Sequence, residues 1–255
     1  MPVHCPIDLP RLTSEDLGKL DYQVMAIAFG IHDDFGCHWD ESIYQVEMHN
    51  RILDTFSSSE REVPLTVSFG TFSKTYRLDL VVDEIGIYEL KTVAAIEKAH
   101  IGQVLNYLRL LNATRAKIIN FRTNKVESRF VNCSDTLSQR RSFDIATENY
   151  RGPKELSEVA IRMLQDLGTK LSNELYTECL VSNIGRSARR RVWADRNVYQ
   201  RFNFVAENEA FVVTALDTGQ ANYRTHLKRM RQTARLTHLH WINVTPDVVR
   251  FESAE

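Results

Sequence analysis

Three residues in the first half have the types and spacing to do chemistry together. Asp79 lies in the otherwise apolar run Arg77-Leu78-Asp79-Leu80-Val81-Val82, and Glu89 and Lys91 lie in Ile87-Tyr88-Glu89-Leu90-Lys91. Residues two apart on an extended strand share a face, which puts Glu89 and Lys91 side by side. The short step at Asp83-Glu84 reads as a hairpin turn, and pairing across it brings Asp79 to the same place. Two carboxylates offer hard oxygens to Mg²⁺, an ion that takes few protein ligands and keeps several waters. Such an ion lowers the pKa of a bound water and stabilises charge on a phosphate oxygen. A lysine beside it can position or help deprotonate the attacking water and stabilise the charged transition state.

An Asp followed by Glu-x-Lys is weak by itself, since charges alternate on many solvent-facing strands. Its neighbours strengthen it. His100, Gln103 and Tyr107 are spaced by three and four, on one face of a helix, and Glu41 and Tyr44 are three apart on an earlier one.

The elements that must hold these residues can be read along the chain. Thr13-Ser14-Glu15-Asp16 predicts a helix start, with an apolar-periodic segment from about Tyr22 to Ile31, broken at Asp34-Phe35-Gly36. A second helix is predicted from about Asp40 to Phe56, then a loop at Ser57-Ser58-Ser59. Strands follow at Leu65 to Phe69, Thr75 to Val82 and Ile85 to Lys91, then a helix from Ile96 to Leu111, and strands at Ala116 to Phe121 and Val126 to Val131. This order is an α/β layer pattern, a meander extended through a crossover helix.

Composition narrows the class. Hydrophobic content of 43% and charged content of 25% over 255 residues suit a globular protein of one large or two modest domains. No apolar run is long enough to span a membrane, and the N-terminus lacks a secretory pattern, so a cytoplasmic location without membrane contact is expected. Cys5, Cys37, Cys133 and Cys179 are scattered, without a C-x-x-C pair, which argues against a zinc site or disulfide framework. No Gly-rich phosphate loop and no G-x-S-x-G elbow occurs. The net charge of −1 is unevenly spread: residues 151–255 carry 16 Lys and Arg against 12 Asp and Glu, leaving 16 against 21 in residues 1–150.

From about Val24 to Val131 the chain resembles the GxxExxY proteins, a branch of the PD-(D/E)XK nuclease superfamily. The resemblance covers about two fifths of the chain. It is carried by Phe35-Gly36 followed by Glu41-Ser42-Ile43-Tyr44, by Arg77 to Val82, and by Glu89-Leu90-Lys91. His100-x-x-Gln103-x-x-Asn106-Tyr107-Leu108 and Ile119-Asn120-Phe121 complete it, all in family order. The resemblance implies a mixed sheet flanked by helices and a metal-dependent nuclease. Asp79 and Glu89 would be ligands to Mg²⁺ (or Mn²⁺), Glu41 a supporting carboxylate and Lys91 the catalytic lysine. Gln103 and Tyr107 would lie near the substrate phosphate, with His100 beside them. One position departs: the first glycine of the family's name falls at His38.

The second half repeats landmarks of the first. At a shift of 132 residues, Asp34-Phe35-Gly36 falls on Asp166-Leu167-Gly168, and Glu41 to Tyr44 on Asn173 to Tyr176. At 124, Arg77 to Val81 falls on Arg201-Phe202-Asn203-Phe204-Val205, and at 123, Ile119-Asn120-Phe121 falls on Ile242-Asn243-Val244. The expectation is a tandem duplication, with residues 1–148 an intact nuclease-like domain and 149–255 a degenerate copy. In that copy Asn203 replaces Asp79, Asn173 replaces Glu41, no Glu-x-Lys remains, and His226 and Met230 stand for Gln103 and Tyr107. Arg186, Arg189, Arg190 and Arg191, and then Arg224, Lys228, Arg229, Arg231 and Arg235, interleave with Trp193 and Tyr199. Basic residues mixed with aromatics suit phosphate contact and base stacking, so Arg189, Arg190 and Arg191 are expected to bind nucleic acid, DNA ahead of RNA. Assembly as a homo-oligomer or an intrachain pseudo-dimer fits the repeat. The competing reading is a catalytically silent nucleic-acid-binding or protein-interaction module on the same fold.

Overall fold

The computed structural model describes residues 2–11, 17–184, 188–195 and 198–254, with backbone alone at 188–195 and 198–199. The expected helix start at Thr13 to Asp16 lies outside the described residues, as does Arg186. Two compact units are present: one comprises Met1, Val3–Val67 and Lys74–Thr136, the other Pro2, Ser68–Ser73 and Leu137–Glu255. Among the described residues no helix is long and apolar enough to cross a membrane.

The first unit runs β1 (Val3–His4), α1 (Gly18–Phe35), α2 (Glu41–Leu53), β2 (Ser59–Phe69), β3 (Phe72–Val82), β4 (Gly86–Lys91), α3 (Lys98–Leu111), β5 (Arg115–Asn120) and β6 (Glu127–Asn132). The helix–helix–three strands–helix–two strands order matches the sequence reading. It gains a two-residue edge strand, β1, too short to leave a periodic signal. Ser59 belongs to β2 and not to the loop expected there, and α2 stops at Leu53, short of Phe56.

One helical face of α1 (Leu20, Val24, Ala28, Ile31) and one of α2 (Tyr44, Met48, Ile52) bury together against Leu80, Val82, Tyr88, Leu90, Ile119 and Phe121. Burying that many large side chains, each contributing about 1.5–3 kcal/mol, fixes this side of the sheet. The strands lie in the order β1-β2-β3-β4-β5-β6. β3 and β4 are antiparallel, joined through Asp83 and Glu84 at φ 50 and 58, the paired left-handed residues of a tight hairpin turn. β4 and β5 are parallel, which requires the α3 crossover.

The second unit runs α4 (Leu137–Arg141), β7 (Asp144–Asn149), α5 (Lys154–Leu167), α6 (Asn173–Asn183), β8 (Ala188–Asp195), β9 (Val198–Ala206), β10 (Glu209–Thr214), α7 (Gln220–Thr233), β11 (His238–Val244) and β12 (Val248–Ala254). Its strands lie in the order β7-β12-β11-β10-β9-β8. β9–β10 is antiparallel, β10–β11 parallel through α7, and β11–β12 antiparallel, the senses of β3–β4, β4–β5 and β5–β6. Its core on the α7 side holds Phe202, Phe204, Ala210, Leu227, Leu239 and Trp241.

Particular side-chain ties recur in both units. Tyr44 donates its hydroxyl to the carbonyl of Gly36 at 2.7 Å, and Tyr176 donates to Gly168 at 2.6 Å. Both glycines end a helix at positive φ, 71° and 79°, where a side chain would be strained. Asn120 accepts from Val93 N at 3.0 Å and donates to Val93 O at 2.8 Å. Asn243 does the same to Leu216, at 2.8 and 2.9 Å.

Candidate active site

β4 places Glu89 and Lys91 on one face, as their spacing required, and the β3–β4 register brings Asp79 beside them. Leu80 stands opposite Tyr88, so Asp79 comes next to Glu89. Asp79 accepts a hydrogen bond from the backbone N–H of Leu90 at 2.8 Å, which ties its carboxylate to the neighbouring strand. Glu89 is 2% exposed and Asp79 8%. The Lys91 ammonium donates to Glu89 Oε1 at 2.6 Å and lies 3.9 Å from both Asp79 Oδ2 and Glu41 Oε1. Glu41, the first residue of α2, reaches this point because α2 packs over the end of β4.

Burial dominates the electrostatics. Desolvation pushes the Asp79 carboxyl up to about 6 against the opposing pull of Lys91 and the Leu90 N–H. Glu89 is pushed up to about 7, first by burial and then by the nearby Asp79 charge, with Lys91 pulling the other way. Burial alone would lower the pKa of Lys91, but attraction to Glu89, Asp79 and Glu41 outweighs it and the net direction is up. Three carboxylates thus share one ammonium, and the buried pair is held in its charged form only at a cost.

Among the described residues no three His, Cys, Asp or Glu side chains stand ready around a common point as a metal site. The carboxylates of Asp79, Glu89 and Glu41 are drawn to Lys91 instead. Their chemistry fits a hard divalent ion all the same: oxygen donors only, two of them desolvated, with an unmet preference for more positive charge.

Gln103 donates to the Tyr107 hydroxyl at 2.8 Å, so the expected pair on α3 is a physical pair. Burial raises the Tyr107 pKa, Gln103 lowers it, and the charges of Glu89 and Asp79 raise it further, so the hydroxyl lies within the field of the carboxylates. His100 is engaged elsewhere: its Nδ1 accepts from Glu97 N at 3.0 Å as half of a capping box that begins α3. His38 is exposed in the turn between α1 and α2, where Gly36 supplies the left-handed residue. Arg189, Arg190 and Arg191 lie in β8, and their side chains are outside the described residues.

Two neighbours escaped the sequence reading. The Tyr76 ring lies 5.6 Å from that of Tyr107, and Lys74 stands 5.3 Å over Tyr76. Their signal was Lys74-x-Tyr76 on the strand leading to Asp79, a cation and an aromatic two apart.

In the second unit the expectation for Asn203 needs correcting. Asn203 stands opposite Phe211, whose counterpart in the first unit is Tyr88 opposite Leu80. By strand register alone, Phe202 is the residue that falls at the place of Asp79. The two-residue hairpin link between Ala206 and Glu209 is one shorter than that between Val82 and Gly86, and a bulge at Glu209/Ala210 then shifts the strand by one. Val212 and Thr214 take the places of Glu89 and Lys91, since Thr214 faces Asn243 as Lys91 faces Asn120.

Residues 18–131 match the family model described as the PD-(D/E)XK nuclease superfamily. The matched segment contains Glu41, Asp79, Glu89, Lys91, Gln103 and Tyr107. It is thus similar to a nuclease superfamily whose members generally hydrolyse nucleic acids and typically use divalent metals. No curated protein and no solved structure matches the chain.

Proposed function

We propose that the chain is a metal-dependent nuclease that hydrolyses phosphodiester bonds, with DNA ahead of RNA as substrate, acting in the cytoplasm. One observation carries this reading: three carboxylates from three elements, two of them buried, gather on one lysine. A merely structural lysine needs one partner, whereas a site that must bind a divalent ion needs surplus negative charge. Asp79 and Glu89 would hold Mg²⁺ or Mn²⁺, with Glu41 in support. The bound ion supplies a more acidic water and charge stabilisation at the phosphate. Lys91 orients the attacking water and offsets charge growing on the phosphate oxygens. Tyr107, held by Gln103, would donate to a substrate phosphate. Within the superfamily, Glu41 and Tyr44 support the GxxExxY branch, with His38 in place of its glycine.

We read the second unit as a degenerate copy of the first. The shared element order, the pairing senses, the two tyrosine–glycine ties and the two asparagine clamps support that reading. Phe202, Val212 and Thr214 at the motif positions leave that copy without metal ligands.

The test is cleavage of labelled single- and double-stranded DNA and RNA with Mg²⁺ or Mn²⁺, wild type beside Asp79→Ala. The expected result is metal-dependent cutting that the variant loses by about 100-fold or more. Cutting that survives the substitution places the chemistry elsewhere. No cutting on any substrate counts against the reading.

A further inference from the structure

The second unit carries a groove along α7 at the place where the first unit carries Gln103 and Tyr107. His226, Arg229, Met230, Thr233 and Ala234 follow the i, i+3, i+4, i+7, i+8 stripe of one helical face. With Gln200 and Phe202 of β9 they line a groove of about 370 Å³. Phe202, only 3% exposed, is its floor, while Gln200, His226, Arg229 and Thr233 are exposed at its rim.

The ends of α3 and α7 fix the residue-by-residue comparison. Asn112 and Arg235 are both left-handed at φ 54. Ala113 N donates to Leu108 O as Leu236 N donates to Arg231 O. On that alignment His226, Arg229, Met230, Thr233 and Ala234 replace Gln103, Asn106, Tyr107, Leu110 and Leu111. Two leucines have become threonine and alanine, which opens space. Tyrosine has become methionine, an adaptable apolar surface that packs well against flat rings. A buried neutral asparagine, Asn106, has given way to an exposed arginine.

We propose that this groove takes one unpaired nucleobase of a nucleic-acid strand, with the adjoining phosphate against Arg229. Phe202 and Met230 offer apolar surface to a base face, and the Gln200 amide offers both a donor and an acceptor to a base edge. α7 carries Arg224, Lys228, Arg229 and Arg231 and no acidic residue. Arg224 is occupied by Glu252 through two 2.6 Å bonds, and Arg231 bonds the carbonyls of Leu236 and Thr237. Arg229 is exposed at the groove, Lys228 is exposed elsewhere on the same helix, and the strand register pairs Arg190 with Phe202. That the occupant belongs to a nucleic-acid strand rests on the nuclease reading of the first unit. That it is an unpaired base rests on the groove.

The test uses the full chain in EDTA, so that binding is read without cutting. The probes are a fluorescein-labelled single-stranded oligothymidylate and a labelled duplex, followed by fluorescence anisotropy. Thr233→Leu with Ala234→Leu refills the groove with the first unit's residues, and Arg229→Ala alters the rim without touching the core. Each is expected to weaken single-strand binding by about tenfold while changing duplex binding much less. Wild-type affinity in both variants, or an equal loss on single strand and duplex, overturns the proposal. Cleavage assayed alongside in Mg²⁺ separates the two ideas. Groove-dependent binding without cleavage sinks the nuclease reading alone, and cleavage with groove-independent binding sinks this inference alone.

Discussion

Lys91 stands within reach of three carboxylates, and the two most buried of them are the ones whose protonation is displaced furthest. Glu89, pushed up to about 7, binds a proton in the folded chain across a range where the unfolded chain has released it. Folded-state proton uptake in that window means that its contribution to stability is present at low pH and is lost as pH rises from about 4.5 through 7. Glu89→Gln removes that titration. The variant is therefore expected to gain stability relative to wild type as pH goes from 5 to 8 without metal, measured by thermal unfolding at a series of pH values. A difference that is flat with pH would contradict the electrostatic reading of this residue. The triplet itself was legible in the sequence because strand periodicity and a short hairpin dictate which side chains meet. The grip of Lys91 on three carboxylates was not, since it depends on how α2 packs over β4. His100 was legible as a member of a helical face but not as a capping residue, because the cap is set by the backbone of Glu97.

Helix ends and strand registers decide what each unit can present. The tyrosine–glycine tie joins the left-handed residue that ends the first helix of each pair to the second helix, eight positions on. Losing one such hydroxyl bond costs about 1 kcal/mol, and more where the carbonyl stays buried. Tyr44→Phe and Tyr176→Phe are each expected to lower stability by about that amount, read from denaturant midpoints. A loss from Tyr44→Phe alone would show that the second tie carries no load. At this scale the sequence landmarks were strong where side chains anchor backbone, as at Asn120 and Asn243. They misled by one residue at β9, where a shorter hairpin link and a bulge cancel over a few positions. Matching letters favoured Asn203 as the counterpart of Asp79. Hydrogen-bonded register assigns Phe202, and only backbone pairing reveals a bulge.

Across the molecule, one unit has Asp79, Glu89 and Lys91 on β3 and β4, and the other has Phe202, Val212 and Thr214 at the matching register positions of β9 and β10. The division agrees with the charge distribution, acidic in the first 150 residues and basic beyond them. On the proposed reading the two halves would do different work, metal chemistry in one and strand contact in the other. The most direct test is cleavage of labelled DNA by the Lys91→Ala variant of this chain at saturating Mn²⁺, with Mn²⁺ binding measured on the same protein. Removing the ammonium leaves the carboxylates of Asp79, Glu89 and Glu41 in place and takes away the cation that competes for them. If Lys91 acts on the water and the phosphate, Mn²⁺ binding stays at least as tight as in wild type and the cleavage rate falls by about 100-fold or more. Cleavage at the wild-type rate would contradict it.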